Sequence, residues 1–284
     1  MTVREALVDL KIKLAQCGVA EPNFEAALLV SLAIGKDRTF LIAHPEYEFE
    51  PAEIEQLDQI VRRRANHEPF QYIKGYQEFF GREFKVTPDV LIPRPETEIL
   101  VERAIELLSG IAEPTFCEIG VGSGCIAVSI LAEVAKAQAV AVDLSPRALA
   151  VAQENAIKYQ VLDRLRLIRS DVFASIPERD FDMIVSNPPY VPADQIPTLQ
   201  PEVREFEPLS ALTDGGDGLS LIRRIILSSP RFLRQAGELL LEIGFDQSEA
   251  SARMFDEEVW LPPSFLPDLQ GIPRIVHARL RNKR

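Results

Sequence analysis

Cysteine, histidine and tryptophan are scarce in this sequence, at three, three and one of 284 residues. Cys17, Cys117 and Cys125 are scattered, odd in number and set among apolar neighbours. That favours core thiols in a reducing compartment, the cytoplasm, over a disulfide framework. His44, His67 and His277 lack metal-ligand spacing, so they read as structural or surface residues and no metal is expected. No apolar run approaches the ~20 residues that span a bilayer. Residues 1–18 mix acids and bases at helical spacing, unlike a targeting peptide, so neither a membrane nor a leader is expected. No GxxxxGK[ST] loop is present, which argues against a nucleoside triphosphate. A positive surplus is also missing: 31 Lys and Arg stand against 43 Asp and Glu, a net charge of −12. A protein that coats phosphates is thereby disfavoured, and no stable nucleic-acid complex is expected.

What is present is an ordinary globular composition, 46% hydrophobic and 26% charged, long enough for one large domain or two. Residues 2–65 carry apolar positions at three- and four-residue steps (Leu7, Leu10, Leu14; Ala26, Leu29, Val30, Ala33; Leu57, Ile60, Val61), broken at Gly18–Pro22, Gly35–Asp37 and Pro45–Pro51. They predict a helical bundle over 1–67, a packing or recognition module without catalytic residues. Residues 68–95 are rich in aromatic and β-branched residues with turn signals at Gly75, Gly81 and Pro88-Asp89, and predict a β-hairpin linker. Thr97 is a candidate N-cap for a helix over Ile99–Leu108.

From residue 96 onward strands and helices alternate. Strands are predicted at Thr115–Ile119, Gln138–Val142, Leu165–Arg169, Phe181–Ser186 and Glu238–Ile243, with closing strands at Val259–Leu261 and Arg274–Leu280. Helices are predicted at Cys125–Ala135, Pro146–Tyr159, Leu219–Leu233 and Ser248–Phe255. Residues 191–217 form a proline-rich insertion. The alternation implies an α/β fold, a Rossmann-like and mainly parallel sheet with helices on both faces, occupying 96–284.

The stretch Phe181-Asp-Met-Ile-Val-Ser-Asn187-Pro188-Pro189-Tyr190 is the centre of this arrangement. Two prolines cannot extend a strand ladder, so the chain leaves the sheet at Asn187 in a stiff, extended turn. Carbonyl oxygens are exposed there without competing N–H groups. Asn187 Oδ1 and the Pro188 carbonyl can accept the two hydrogens of a planar –NH2 group, with Tyr190 stacked on its plane. Carboxyl ends of strands are where open α/β sheets bind ligands.

Gly120-Val121-Gly122-Ser123-Gly124 after the first of these strands is a weak signal alone, compatible with a tight strand–helix connection. Asp143, about 20 residues on at the next strand end, suits a carboxylate on a ribose diol. Asp171, at the third strand end, suits an adenine edge. The glycine spacing and acidic lining fit a cationic, phosphate-free adenosine such as S-adenosylmethionine better than a dinucleotide. Glu118 would face its charged methionine end.

Glu118-x-Gly120-x-Gly122-Ser123-Gly124, Asp143, Asp171 and Asn187-Pro188-Pro189-Tyr190 resemble the class I S-adenosylmethionine-dependent methyltransferases that act on amino groups. Adenine-amino DNA methyltransferases share the tetrad. Leu91-Ile-Pro-Arg-Pro-Glu-Thr-Glu98, Phe206-Glu-Pro208 and Asp214-Gly-Gly-Asp-Gly-Leu219 resemble more narrowly the peptide chain release factor glutamine N5-methyltransferase family, over nearly the whole chain. This resemblance implies methylation of the glutamine in the Gly-Gly-Gln loop of class-1 release factors, with S-adenosyl-L-homocysteine as product, by a cytoplasmic monomer. It implies a bundle at 1–67 that recognises substrate and a catalytic domain at 96–284. Val172 falls at the cofactor wall, where some members carry a tryptophan beside the adenine; Phe173 is the neighbouring candidate for that contact. The alternatives are a ribosomal-protein glutamine methyltransferase and, more remotely, an adenine-amino nucleic-acid methyltransferase.

Overall fold

The computed structural model describes residues 1–177 and 180–282, and the chain divides into two compact units. The first comprises residues 1–75 and 200–206, the second 76–199 and 207–284.

The first unit is helical: α1 (Val3–Gln16), α2 (Pro22–Ile34), α3 (Arg38–Ala43), α4 (Pro51–Ala65) and α5 (Phe70–Lys74). Thr2 and Glu5 close a reciprocal capping box on α1, and Pro22 and Pro51 occupy first-turn positions that need no N–H partner. Leu10, Leu14, Leu29, Val30, Leu57 and Val61 pack in one core. Residues 200–206 join this unit through Arg64, whose buried guanidinium lies 2.9 Å from both Glu25 and Glu202.

The second unit opens with a hairpin, β1 (Tyr76–Phe79) and β2 (Arg82–Lys85). Its two turn residues, Phe80 (φ 51°) and Gly81 (φ 67°), are both left-handed, the geometry that matches strand twist in a two-residue loop. Then follow α6 (Thr97–Leu108), β3 (Thr115–Ile119), α7 (Cys125–Glu133), β4 (Gln138–Asp143), α8 (Pro146–Lys158), β5 (Leu165–Arg169), β6 (Phe181–Ser186), α9 (Pro201–Phe206, within the first unit), α10 (Leu209–Leu212), α11 (Ser220–Ser228), β7 (Leu233–Glu242), α12 (Ser248–Ala252), β8 (Ser264–Pro267) and β9 (Pro273–Arg279). The seven strands order as β5-β4-β3-β6-β7-β9-β8, parallel except for the pairs that involve β9. Side chains alternate between faces. Phe116, Met183, Val185 and Leu240 pack under α6, α7 and α8 in one core, and Cys117, Ile119, Ile184 and Leu241 under α11 in another. Burial on both faces explains the near-continuous apolar strands.

Several expected boundaries shift. Phe70–Lys74 is helical, so the hairpin proper is residues 76–85. Helix α11 ends at Ser228, and Leu233 already belongs to β7. Val259–Leu261 supplies only an isolated bridge, Trp260 with Leu280; the extra strand is β8. Proline is tolerated on such an edge strand, which is why Leu-Pro-Pro-Ser-Phe-Leu-Pro escaped a strand assignment. Thr97 is not the N-cap of α6: Glu96 holds that position and Thr97 is the first helical residue. The cysteines are free, Cys117 and Cys125 buried and Cys17 half-buried. Among the described residues no helix is long and apolar enough to cross a membrane.

Candidate active site

Strand order reverses beside β3, whose neighbours are β4 and β6. A topological switch point leaves a crevice beyond the strand ends, and here it is a pocket of about 540 Å³, ample for a nucleoside-sized ligand. The register pairs Ile119 with Ser186, so Gly120 and Asn187 leave the sheet side by side. Ser186 Oγ donates to Ile119 O at 2.7 Å and ties the two strand ends together.

The glycine turn is rigidly held. Gly120, Gly122 and Gly124 all have positive φ, and a Cβ on Gly124 would sit 3.2 Å from Ala152. Gly120 and Val121 donate to Val142 O at 2.8 and 2.9 Å. Asp143 accepts from Gly122 N at 3.0 Å through Oδ2 and from Ser145 N at 2.9 Å through Oδ1. Each oxygen keeps a lone pair for a ligand, but the carboxylate is also the splint of the turn. Asn155 on α8 donates to Ser123 O (2.8 Å) and Lys85 O (3.0 Å) and accepts from Lys85 N (2.8 Å), so the turn is braced against the hairpin.

Glu118 is 1% exposed and lines the pocket. Its Oε2 accepts from Ala127 N at 2.9 Å, while Oε1 is buried with no hydrogen-bond partner. Burial holds the carboxyl well above the usual carboxylate range, against the Ala127 hydrogen bond and with Asp143 adding to the rise. An orphaned buried carboxylate oxygen at a pocket wall is a place for a cation.

Asp171 and Val172 both line the pocket; the Asp171 carboxylate is exposed and paired with Arg224 at 2.9 Å. Phe173 does not line it. Its ring stacks on Phe232 at 4.4 Å within the core, and the apolar lining includes Val172, the exposed Leu144, Val142 and Leu221.

Asn187, Pro188 and Pro189 line the same pocket. Asn187 Nδ2 donates to Thr97 Oγ1 at 3.1 Å, and Thr97 donates to Glu242 Oε2 at 2.6 Å. Tyr190 is not part of the pocket wall. Its ring packs against the core, its hydroxyl donates to Glu242 Oε1 at 3.3 Å, and it supports the tetrad from behind. Glu242 is buried at the end of β7, and burial pushes its carboxyl up to about 7 although Thr97 and Tyr190 both stabilise the charge. Burial, and then Glu242, push the Tyr190 phenol well up. The tetrad backbone is clamped as well. Gln247 Nε2 donates to Tyr190 O at 2.9 Å, and a Cβ on Gly218 (φ 74°) would lie 2.1 Å from that oxygen.

Thr97, Glu242, Gln247, Gly218 and Asn155 are absent from the residues expected at the site. So is the Arg94–Glu207 pair at the pocket mouth, where buried Glu207 accepts from Arg94 (2.6 Å) and Ile92 N (3.2 Å). Arg94, Thr97, Glu207 and Gly218 fall within the motifs that carry the resemblance, without a role legible from the pattern, and Asn155 shows as a polar residue on the buried stripe of α8. Asp214 organises its own loop by accepting from Gly216, Gly218 and Ser220 N–H. Burial would raise its carboxyl, but these donors outweigh it and hold it below the usual range.

A parallel sheet with one antiparallel end, a glycine turn after β3 and an Asn-Pro-Pro-Tyr exit after β6 define a class I methyltransferase. The fold is shared with a methyltransferase from Pyrococcus furiosus (TM-score 0.53, 15% identity, covering 80% of this chain and 99% of that one). It is shared too with the hMettl16 catalytic domain (TM-score 0.55, 16% identity, 83% of each chain). Residues 5–75 match the PrmC N-terminal domain model and residues 97–201 the methyltransferase small domain model. The release factor glutamine methyltransferase of Geobacter sulfurreducens is 41% identical over 98% of this chain and 97% of its own. That of Cereibacter sphaeroides is 44% identical over 99% of each. The chain belongs to the release factor glutamine methyltransferase family.

Proposed function

We propose that this protein transfers the methyl group of S-adenosylmethionine to the side-chain amide nitrogen of the glutamine in the Gly-Gly-Gln motif of class-1 peptide chain release factors. It would act in the cytoplasm as a monomer, with residues 1–67 contributing to recognition of the release factor and 96–284 carrying the chemistry. The observation that carries the reading is the pairing, in one pocket, of an orphaned Glu118 oxygen with an Asn187 amide whose nitrogen is already engaged by Thr97. The first suits a cation, and the second leaves a carbonyl acceptor for a substrate –NH2.

When bound, S-adenosylmethionine supplies an electrophilic methyl group on a positively charged sulfur. Glu118 would hold the cationic end, Asp143 the ribose diol, and Asp171 with Val172 the adenine, over the turn Gly120–Gly124. A carboxamide nitrogen is a poor nucleophile because its lone pair is delocalised into the carbonyl. Asn187 Oδ1 and the Pro188 carbonyl accept both amide hydrogens, fix the amide plane and stabilise positive charge as it builds on nitrogen. Pro188 and Pro189 keep that exit stiff, and Tyr190 holds it from the core side. The N-methylated amide then loses its extra proton to water or a carbonyl, since it is strongly acidic in that form. A neutral Asn187 avoids placing an unpaired charge beside the reacting nitrogen.

The test is incubation with methyl-labelled S-adenosylmethionine and, separately, purified release factors, ribosomal proteins and DNA. One methyl on the glutamine of the Gly-Gly-Gln peptide is expected. Label on ribosomal proteins or DNA with none on release factors overturns the proposal.

A further inference from the structure

Thr97 is 2% exposed, and its hydroxyl has one proton to give. A helical threonine ordinarily bonds its hydroxyl to nearby backbone of its own helix. Here the hydroxyl instead meets groups from two strand ends, Asn187 after β6 at 3.1 Å and Glu242 at the end of β7 at 2.6 Å. The shorter contact lies in the range of a charge-assisted O–H···O⁻ bond. The proton therefore belongs on the Glu242 side, and Thr97 can only accept from Asn187. Glu242 is kept in place by a second hydroxyl donor, Tyr190, at 3.3 Å. The polarity of this chain has a consequence at its far end. An asparagine amide can be turned by 180° with almost no change in shape, and only its hydrogen-bond partners decide which end points where.

We propose that Glu242 and Thr97 are positioning residues that fix the polarity of the Asn187 amide, holding its nitrogen inward so that Oδ1 is presented to the substrate. The inference rests on the reading of Asn187 as the acceptor of the substrate amide, and deepens it. Without the Glu242 carboxylate the Thr97 proton is free to turn toward Asn187, which then offers its Oδ1 inward and its –NH2 to the substrate. Two –NH2 groups facing each other cannot bond, and the substrate amide loses one of its two acceptors. Neither residue need touch the reacting atoms for this to happen.

The experiment is single-turnover methylation of a purified release factor by Thr97→Val, Thr97→Ser, Glu242→Leu and Asn187→Ala, and by Thr97→Val and Glu242→Leu each combined with Asn187→Ala. S-adenosylhomocysteine binding by calorimetry reports in each case whether the pocket is intact. Thr97→Val preserves volume and removes only the hydroxyl. It is expected to lower the transfer rate on the order of 10²-fold, with KM for the release factor and S-adenosylhomocysteine affinity little changed. Glu242→Leu should do the same, and Thr97→Ser should restore most of the rate. In the Asn187→Ala background the Thr97 and Glu242 substitutions should cost nothing further, because what they position is gone. A wild-type rate in Thr97→Val overturns the inference, as does a full additional loss on top of Asn187→Ala, the signature of a merely structural role. Should Glu242→Leu fail to bind S-adenosylhomocysteine, the Thr97 series decides alone. Wild-type protein that labels no release factor overturns the functional reading and takes the inference with it, a result distinct from an active wild type with an unimpaired Thr97→Val.

Discussion

At the scale of single residues, two buried carboxyls dominate: burial pushes Glu242 up to about 7, so that its carboxylate, the form that accepts from Thr97, prevails above that pH, and burial holds Glu118 toward its neutral form. For Glu118, a cationic ligand would reverse that preference, so binding should release a proton and tighten as pH rises. Calorimetry in two buffers of different ionisation enthalpy should detect the proton in the wild type and none in Glu118→Gln. The variant should bind S-adenosylmethionine more weakly by roughly 1.5–3 kcal/mol, the range for a charged hydrogen bond. Unchanged affinity would remove Glu118 from the cofactor site. Glu242 makes a prediction about stability. Its carboxyl titrates near 4.5 when free and at about 7 in the fold, so between those values the folded state binds a proton that the unfolded state does not. Stability attributable to this group is greatest below pH 4.5, falls as pH rises to about 7, and is flat above. The loss is on the order of 3 kcal/mol, from about 1.4 kcal/mol per pH unit. Glu242→Gln should therefore flatten the pH dependence of the denaturant midpoint between pH 5 and 7. Identical slopes in variant and wild type would contradict the assignment.

At the scale of elements, the two turns that make the pocket are rigid for different reasons. The glycine turn needs left-handed backbone at alternate positions, and Asp143 and Asn155 tie it to the neighbouring strand end and hairpin. The tetrad is stiffened by its prolines and clamped at the Tyr190 carbonyl by Gln247 and by the bare backbone of Gly218. Gly218→Ala combines a strained φ, worth ~1–3 kcal/mol, with a methyl group 2.1 Å from that carbonyl. Something must move, and the loop carrying Asn187 is what it abuts. The variant should lose methyl transfer by more than its fall in thermal midpoint explains, while S-adenosylhomocysteine affinity stays within a few fold because the glycine turn is elsewhere. Full activity would show that the clamp is slack.

At the scale of the whole molecule, the chain builds its helical unit from two separated pieces, residues 1–75 and 200–206. Arg64 holds the second piece by pairing with Glu202 while it also pairs with Glu25. Arg64→Leu leaves Glu25 without its cation and Glu202 with only the His67 ring, 3.7 Å away. A wholly buried broken pair costs ~3–5 kcal/mol; here each carboxylate keeps some contact with water, so roughly 2–4 kcal/mol is expected. If this unit recognises the release factor, KM for that substrate should rise while S-adenosylmethionine affinity is unchanged. A fall in cofactor affinity, with KM for the release factor unmoved, would contradict that division of labour.

The alternation of strands and helices, the glycine turn and the Asn-Pro-Pro-Tyr exit were all legible in the sequence. Each rests on local physics: side-chain period, left-handed backbone at glycine, and the missing N–H of proline. The helical character of residues 2–65 was legible for the same reason. What was not legible is which distant residues meet. Thr97 lies 90 residues from Asn187 and 145 from Glu242, and nothing in the neighbourhood of any of the three marks the partnership. Thr97 read locally as a cap, and Glu242 only as one position in the predicted strand Glu238–Ile243. Tyr190 read as a pocket residue because its neighbours are; the core behind it and the Glu242 carboxylate took it instead. Local sequence determined the elements and the turns that end them. The burial that raises Glu118 and Glu242, and the hydrogen-bond polarity that assigns the two ends of the Asn187 amide, came only with tertiary structure. Both depend on groups that sheet order, and not chain order, brings together.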